Sequence, residues 1–171
     1  MTIEDVLAVE RVTRKAGVNV WLDGGWGLDA LLGAQHRPHD DLDVVVALDD
    51  VERLCEALAP LGYHITDHDL PTRAVLRAND RRQVDLHPLT FDATGNGWQA
   101  RAMPNGDDCI YPARDFTVGH IGGIAIGCLS AELQVIHHLG YVPRPHDYED
   151  MARLAARFAL NVPAPYATHR N

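Results

Sequence analysis

The sequence predicts an α+β domain, a mixed, twisted sheet flanked by helices, with a small helical part at its C-terminal end. Three observations predict it. A valine-rich strand pattern at residues 41–47 lies between helical patterns. Short strand patterns joined by turn residues fill residues 63–127. Two helical patterns separated by a proline-bearing linker close the chain. The division that follows is a core over residues 1–128 and a helical part over residues 129–171, packed on that core as one compact unit. The chain has 171 residues, 46% of them hydrophobic. At that length roughly 70% of the unfolded surface is buried on folding.

The elements follow in order. Thr2 caps a first helix, with Asp5 three residues on as its box partner. Ile3, Val6, Leu7, Val9 and Val12 give that helix an apolar side, and Gly17 stops it. Residues 18–22 read as a short buried strand. Asp23-Gly24-Gly25 reads as a tight turn, and residues 26–32 as a short helix closed by Gly33. A polar loop over residues 34–40 enters the strand at 41–47. Asp49 or Asp50 caps a helix that runs to about residue 59, before Pro60. Residues 63–66, 73–78 and 83–87 read as strands, the last two joined by a turn at Asn79-Asp80. Residues 90–114, rich in Gly, Asn, Asp and Pro, read as loop with short strands. Strands at 118–121 and 124–127 flank Gly122-Gly123, a two-residue hairpin turn. Ser130 caps a helix that ends near Gly140. Asp147 caps a last helix to about residue 160, and Pro163 and Pro165 open a frayed tail.

Composition narrows the partners. The formal net charge is −9, which argues against nucleic acid or an anionic membrane as a partner. It is compatible with a phosphate-bearing substrate, because an acidic site can hold Mg²⁺ and the metal can then hold phosphates. No apolar run approaches the ~20 residues that a membrane span needs. Met1-Thr2-Ile3-Glu4-Asp5 is not a basic n-region leading into an apolar stretch, so no signal peptide is expected. Cys55, Cys109 and Cys128 are odd in number and far apart, which indicates neither a disulfide framework nor a Cys-rich zinc site. The expected location is the cytoplasm.

The chemistry sits on Asp41-Leu42-Asp43 and Asp85. Strand side chains alternate, so Asp41 and Asp43 share one face while Leu42 and Val44 share the other. Two carboxylates side by side on an apolar strand repel each other, and the core beside them disfavours charge. A divalent cation resolves both conflicts, and Mg²⁺ takes a few carboxylate oxygens plus phosphate oxygens. Asp85 and His87 share a face of their strand. If that strand lies beside the first, three carboxylates converge. The alternative is that these acids line a solvated sheet face. Gly24-Gly25, before a helix, lets backbone approach a ligand closely, and a helix N-terminus favours phosphate. It is neither a Walker A loop nor GxGxxG.

These residues carry a resemblance. The run Trp21-Leu22-Asp23-Gly24-Gly25-Trp26-Gly27-Leu28-Asp29, then Arg37, His39 and Asp41-Leu42-Asp43, resembles the small, linA-like lincosamide nucleotidyltransferases of the DNA polymerase β-like nucleotidyltransferase superfamily. The likeness continues through Gly62-Tyr63, Pro71-Thr72-Arg73 and Asp85-Leu86-His87-Pro88. It recurs at Ser130, Glu132, Gln134, His138, Gly140 and Tyr141, so that it spans about residues 20–155. Aminoglycoside 2″-nucleotidyltransferases are similar over the Gly-Gly-Trp and His-Asp-Asp-x-Asp segments. The resemblance implies a polymerase β-like fold and Mg²⁺-dependent transfer of a nucleotide from ATP or another nucleoside triphosphate to a hydroxyl of a small molecule, a lincosamide or an aminoglycoside. It implies that Asp41, Asp43 and Asp85 hold two Mg²⁺ ions. Asp85 would also, or instead, act as the general base. It implies that Gly24, Gly25, Arg37, Trp26 and His39 serve the nucleotide, although Trp26 also suits core packing. Roles for His87, His138 and Asp29 stay open. Residues 101–116 match loosely and are expected in the acceptor pocket. A homodimer that completes this pocket is one expected assembly.

Rival readings are a different hydroxyl acceptor, a non-catalytic nucleotide-binding regulatory module, or a metal- or protein-binding domain with its acids in solvent. Among the 10 histidines, His36 with His39 and His64 with His68 have spacings that invite zinc, but each pair lacks a third ligand. His137 and His138 read as packing or substrate-pocket residues.

Overall fold

Thr2 opens the first helix, α1 (Ile3–Lys15), by the predicted exchange. Its hydroxyl accepts from the Asp5 N–H at 3.3 Å, and the Asp5 carboxylate accepts from the Thr2 N–H at 2.9 Å. The computed structural model describes residues 1–103, 105–139 and 141–168. Strand β1 (Val20–Leu22) runs into α2 (Gly24–Leu32) with only Asp23 between them. The tight turn predicted at Asp23-Gly24-Gly25 is therefore the first turn of α2. The Asp23 carboxylate caps it by accepting from the Gly24 N–H at 2.8 Å, which leaves no loop before the helix.

Strand β2 (Asp41–Ala47) has its predicted bounds. A 3₁₀ turn (Leu48–Asp50) precedes α3 (Val51–Leu58). Asp50 stands at the cap position, but its carboxylate accepts from Arg53 at 2.7 Å instead of capping. The strands that follow are β3 (His64–Asp69), β4 (Arg73–Arg77), β5 (Gln83–Phe91), β6 (Gly97–Gln99), β7 (Cys109–Tyr111), β8 (Phe116–Ile121) and β9 (Ile124–Leu129). Gly122 and Gly123 take φ of +56° and +80° between β8 and β9, as the predicted hairpin turn requires. Helices α4 (Ala131–His137) and α5 (Pro145–Phe158) close the order.

The main sheet runs β3-β4-β5-β2-β1-β9-β8, with β6 and β7 added beyond β5. β2 is parallel to β5 and β1 is parallel to β9, while the other pairs are antiparallel. The sheet is mixed, as expected. One face, carrying Leu42, Val44, Val84 and Leu86, packs with Val6 and Val9 of α1 and with Leu54 and Leu58 of α3. On the opposite face Val45 and Leu89 pack with Tyr111 and with Leu133 of α4. A third cluster joins Leu28 of α2 to Ala131 and Val135 of α4 and to Met151 and Leu154 of α5. Each fully buried Leu or Val contributes about 1.5–3 kcal/mol.

Three terminal expectations change. α4 ends at His137, with the cap at His138, short of the end predicted near Gly140, a residue that itself lies outside the described ones. Asp147 is not the cap of α5. Pro145 takes the first helical position, where its missing N–H costs nothing, and Asp147 reaches back to accept from the Arg144 N–H at 2.7 Å. The tail is not frayed through Tyr166, which is 5% exposed and donates its hydroxyl hydrogen to the His138 carbonyl at 2.7 Å. Among the described residues no helix is long and apolar enough to cross a membrane.

Candidate active site

The parallel register of β2 and β5 sets Asp43 opposite Asp85 and Asp41 opposite Gln83. Side chains alternate, so Asp41, Asp43, Asp85 and His87 all stand on the sheet face away from α1 and α3. One ligand atom each from Asp43, Asp85 and His87 lies within 4.8 Å of the others. Asp85 is 5% exposed. Its charge is met by Arg73 of β4, whose Nε donates to the two carboxylate oxygens at 2.8 and 3.0 Å and whose Nη2 donates to Oδ2. His87 Nε2 lies 3.3 Å from Asp43 Oδ1. Burial pulls the imidazole toward neutrality, but the Asp43 carboxylate overrides it and raises the pKa. Burial, with Asp43 and Asp85 nearby, raises the Asp41 carboxyl above its usual range.

The N-terminus of α2 abuts this face. A Cβ on Gly24 would lie 2.3 Å from Asp43 Oδ2, and one on Gly25 would lie 2.2 Å from His39 Nδ1 and 3.0 Å from Arg37 Nη2. Only glycine permits this approach. Both loop side chains are held from behind. His39 Nε2 is 2.5 Å from Asp29 Oδ2, and Arg37 donates from Nε to Asp150 of α5 at 2.9 Å. Asp29 also accepts from the His36 N–H at 3.1 Å, so His36 and His39 share a carboxylate. Trp26 departs from its ranking with the nucleotide-binding residues. It is 1% exposed, and its ring packs against His39 with centroids 4.8 Å apart, so it supports that histidine from within the core.

Several polar partners escape the sequence reading. His137 Nδ1 of α4 lies 2.9 Å from Asp23 Oδ2. Burial lowers the imidazole pKa, but Asp23 lifts it to about 10; burial raises the Asp23 carboxyl, but His137 brings it well below the usual range. Gln99 Nε2 lies 3.3 Å from His87 Nδ1, and Tyr111 donates its hydroxyl hydrogen to Gln99 Oε1 at 2.7 Å. The Tyr111 ring meets the His137 ring edge-on. A continuous polar rim thus runs from Asp43 through His87, Gln99 and Tyr111 to His137 and Asp23. No local pattern announces it, because its members lie far apart in sequence. His138 turns inward, with Nδ1 2.7 Å from the Gln134 carbonyl oxygen. His64 and His68 lie exposed on β3.

A family model described as aminoglycoside-2''-adenylyltransferase matches residues 5–154. The chain belongs to this family. A lincosamide resistance protein of Staphylococcus haemolyticus is 32% identical over 137 residues, 80% of this chain and 84% of that protein. The structure of the lincosamide antibiotic adenylyltransferase LnuA, lincomycin-bound, matches this adenylyltransferase-family chain with a TM-score of 0.80 at 29% identity. The match covers 91% of this chain and 98% of LnuA. The structure of ANT(2")-Ia in complex with adenylyl-2"-tobramycin matches with a TM-score of 0.70 at 18% identity, over 91% of this chain and 88% of that one. That second likeness concerns the fold alone. The fold is the nucleotidyltransferase fold expected from the sequence.

Proposed function

We propose that this protein transfers AMP from ATP to a hydroxyl of a lincosamide antibiotic and releases pyrophosphate. The observation that carries the reading is the approach of the Gly24 backbone to Asp43, where a Cβ would lie 2.3 Å from Oδ2, with Asp85 paired in register beside it. A helix N-terminus that suits phosphate thereby meets a cluster of carboxylates. Family membership supports the same chemistry. The donor set fits a hard divalent cation: carboxylate oxygens on one face, with Asp41 reluctant to ionise beside its neighbours. Asp41, Asp43 and Asp85 would hold two Mg²⁺ ions, with His87 at their edge. When bound, such ions supply neutralisation of phosphate charge and polarisation of the phosphoryl group.

The chain's own groups do the rest. The Gly25 N–H, with Arg37 and His39, holds and orients the triphosphate, and Gly24, its own N–H taken by Asp23, leaves room for the close approach to Asp43. Asp29 and Asp150 keep the His39 and Arg37 side chains aimed. Arg73 fixes the Asp85 carboxylate, which accepts the acceptor's hydroxyl proton. The oxygen's electron pair forms the bond to the α-phosphorus, and the bond from that phosphorus to the β-bridging oxygen breaks. Pyrophosphate carries the leaving electron pair away. Location in the cytoplasm, where ATP is available, completes the reading. Aminoglycosides are a second acceptor class, favoured by the description of the matching family model and by the net charge of −9, which suits a cationic drug.

The test is pyrophosphate release from Mg-ATP with lincomycin, clindamycin or an aminoglycoside, on the wild type and on Asp43→Ala. Lincosamide-dependent release that Asp43→Ala abolishes is the expected result. Release with an aminoglycoside alone moves the reading to the second class. Neither turnover nor Mg-ATP binding in the wild type overturns it.

A further inference from the structure

Cys109 and Tyr111 are two apart on β7 and share a face of that strand. The Tyr111 ring lies edge-on to the His137 ring with centroids 4.9 Å apart, so this face of β7 looks onto His137 of α4. His137 is fixed on one side only. Its Nδ1 holds Asp23 at 2.9 Å, while its Nε2 is buried and has no partner at hydrogen-bond distance among the described residues. Burial disfavours charge on the ring, Asp23 restores it, and the neighbouring Cys109 thiol adds to that effect, so the pKa reaches about 10. The ring is therefore charged at neutral pH, and Nε2 is a buried cationic donor in want of an acceptor. Asp23, His137 and Cys109 thus form an ordered set, a carboxylate that fixes an imidazolium and an imidazolium beside a thiol.

Cys109 is also reachable. It is half-buried and lines a groove of about 600 Å³ between β7 and α4. Among the described residues that line this groove, Asp107, Asp108 and Glu132 are acidic, and the Arg114 guanidinium faces Asp115 at 3.9 Å. The other two thiols lie in poorer surroundings. Cys128 is buried, and burial pushes its pKa up to about 12. Burial, with Glu52 beside it, also raises Cys55 of α3. Both effects disfavour the thiolate that attacks.

We propose that Cys109 is a modification site: its thiol, assisted by His137, takes up half of a low-molecular-weight disulfide and prefers disulfides that carry amines. The Cys109 sulfur, as the thiolate, attacks one sulfur of the disulfide. A new S–S bond forms, the old one breaks, and its electron pair leaves on the second sulfur. Cys109 is oxidised to the mixed disulfide and the departing half is reduced to a thiol, which ends with the proton that Cys109 gave up. The His137 imidazolium steadies the negative charge on sulfur during the attack, and Asp23 keeps the ring in place. The acidic groove attracts amine-bearing disulfides and repels those that carry carboxylates. The exchange needs neither nucleotide nor metal, so it goes beyond the transfer reading.

The experiment uses the intact, reduced protein and two probes, cystamine, which carries amines, and dithiodipropionate, which carries carboxylates. Mass spectrometry of the whole protein reads the rate, and peptide mapping reads the position. Cys109 is expected to react with cystamine at least tenfold faster than Cys55, with Cys128 untouched, and a dithiol should reverse the adduct. The preference for cystamine over dithiodipropionate should be at least threefold greater at Cys109 than at Cys55, and Glu132→Gln should narrow it. His137→Gln should slow Cys109 at least tenfold and leave the rate at Cys55 within twofold. Equal rates at Cys55 and Cys109 in the wild type, or a Cys109 rate that His137→Gln leaves unchanged, overturns the assignment. The same charge preference at both cysteines overturns the choice of amine-bearing disulfides. If Cys128 becomes reactive in His137→Gln, that variant has opened, and the wild-type comparison of Cys109 with Cys55 decides.

Discussion

A methyl group at Gly25 would stand 2.2 Å from His39 Nδ1 and 3.0 Å from Arg37 Nη2. Neither neighbour can step aside freely, because Asp29 holds one and Asp150 holds the other. Gly25→Ala should therefore raise the KM for ATP about tenfold or more, since overpacking of this kind costs about 1–3 kcal/mol. Titration of Mg-ATP binding checks it, and an unchanged affinity would remove Arg37 and His39 from the nucleotide site. Arg73 gives a second prediction. Without its guanidinium, Asp85 is left as a carboxylate only 5% exposed. Arg73→Ala should cost about 1–2 kcal/mol, the lower range of a charged hydrogen bond because the arginine is half exposed. Mg²⁺ should restore more of the melting temperature in the variant than it adds to the wild type. Melting curves with and without Mg²⁺ decide it, and equal increments would separate Asp85 from the metal. At this scale Asp41, Asp43 and Asp85 are legible because alternation along a strand fixes which side chains share a face. The partners of Arg73, Arg37 and Asp23 are not, because each contact is made only when distant elements pack.

At the scale of elements, the strands were easier to read than their ends. β5 runs on through Pro88, a residue that argues against a strand. Pairing with β4 ends at Leu86 and pairing with β6 begins at Thr90, so the missing N–H of Pro88 falls where β5 has a neighbour on the β2 side alone. No local pattern contains that gap. The contact between α4 and the start of α2 is equally tertiary, and it titrates. His137, pulled down by burial but lifted by Asp23, reaches about 10 from an ordinary 6.5. A raised histidine adds its stability in full below about pH 6.5 and loses it as the pH climbs toward 10. Asp23, raised by burial but lowered further by His137 from an ordinary 3.8, adds stability above that value and loses it only in stronger acid. The pair thus stabilises most between about pH 4 and 6.5. The melting-temperature gap between the wild type and His137→Gln should be widest near pH 6 and should narrow steadily to pH 10. A gap that stays constant across this range would show that no charge is shared between the two helices.

Across the whole molecule, the boundary read at residues 128 and 129 marks a change of element type more than a break in packing. α2 serves both sides, with Trp26 and Ala30 in the cluster under α1 and α3 and Leu28 in the cluster with α4 and α5. Among the polar contacts that cross the same boundary are Asp150 to Arg37 and His137 to Asp23. Each ties a C-terminal helix to a segment beside the carboxylates. The helical part should accordingly unfold with the core and not before it. Met151 is fully buried against Leu28, and Met151→Ala should cost about 2–5 kcal/mol through lost burial and the cavity left behind. That corresponds to about 5–15 °C for a chain of this size. Calorimetry should show one transition, displaced as a unit, and Mg-ATP affinity should vanish along that same transition. Two transitions, with nucleotide binding surviving the first, would mean that α5 is an appendage and that Arg37 holds its place without Asp150.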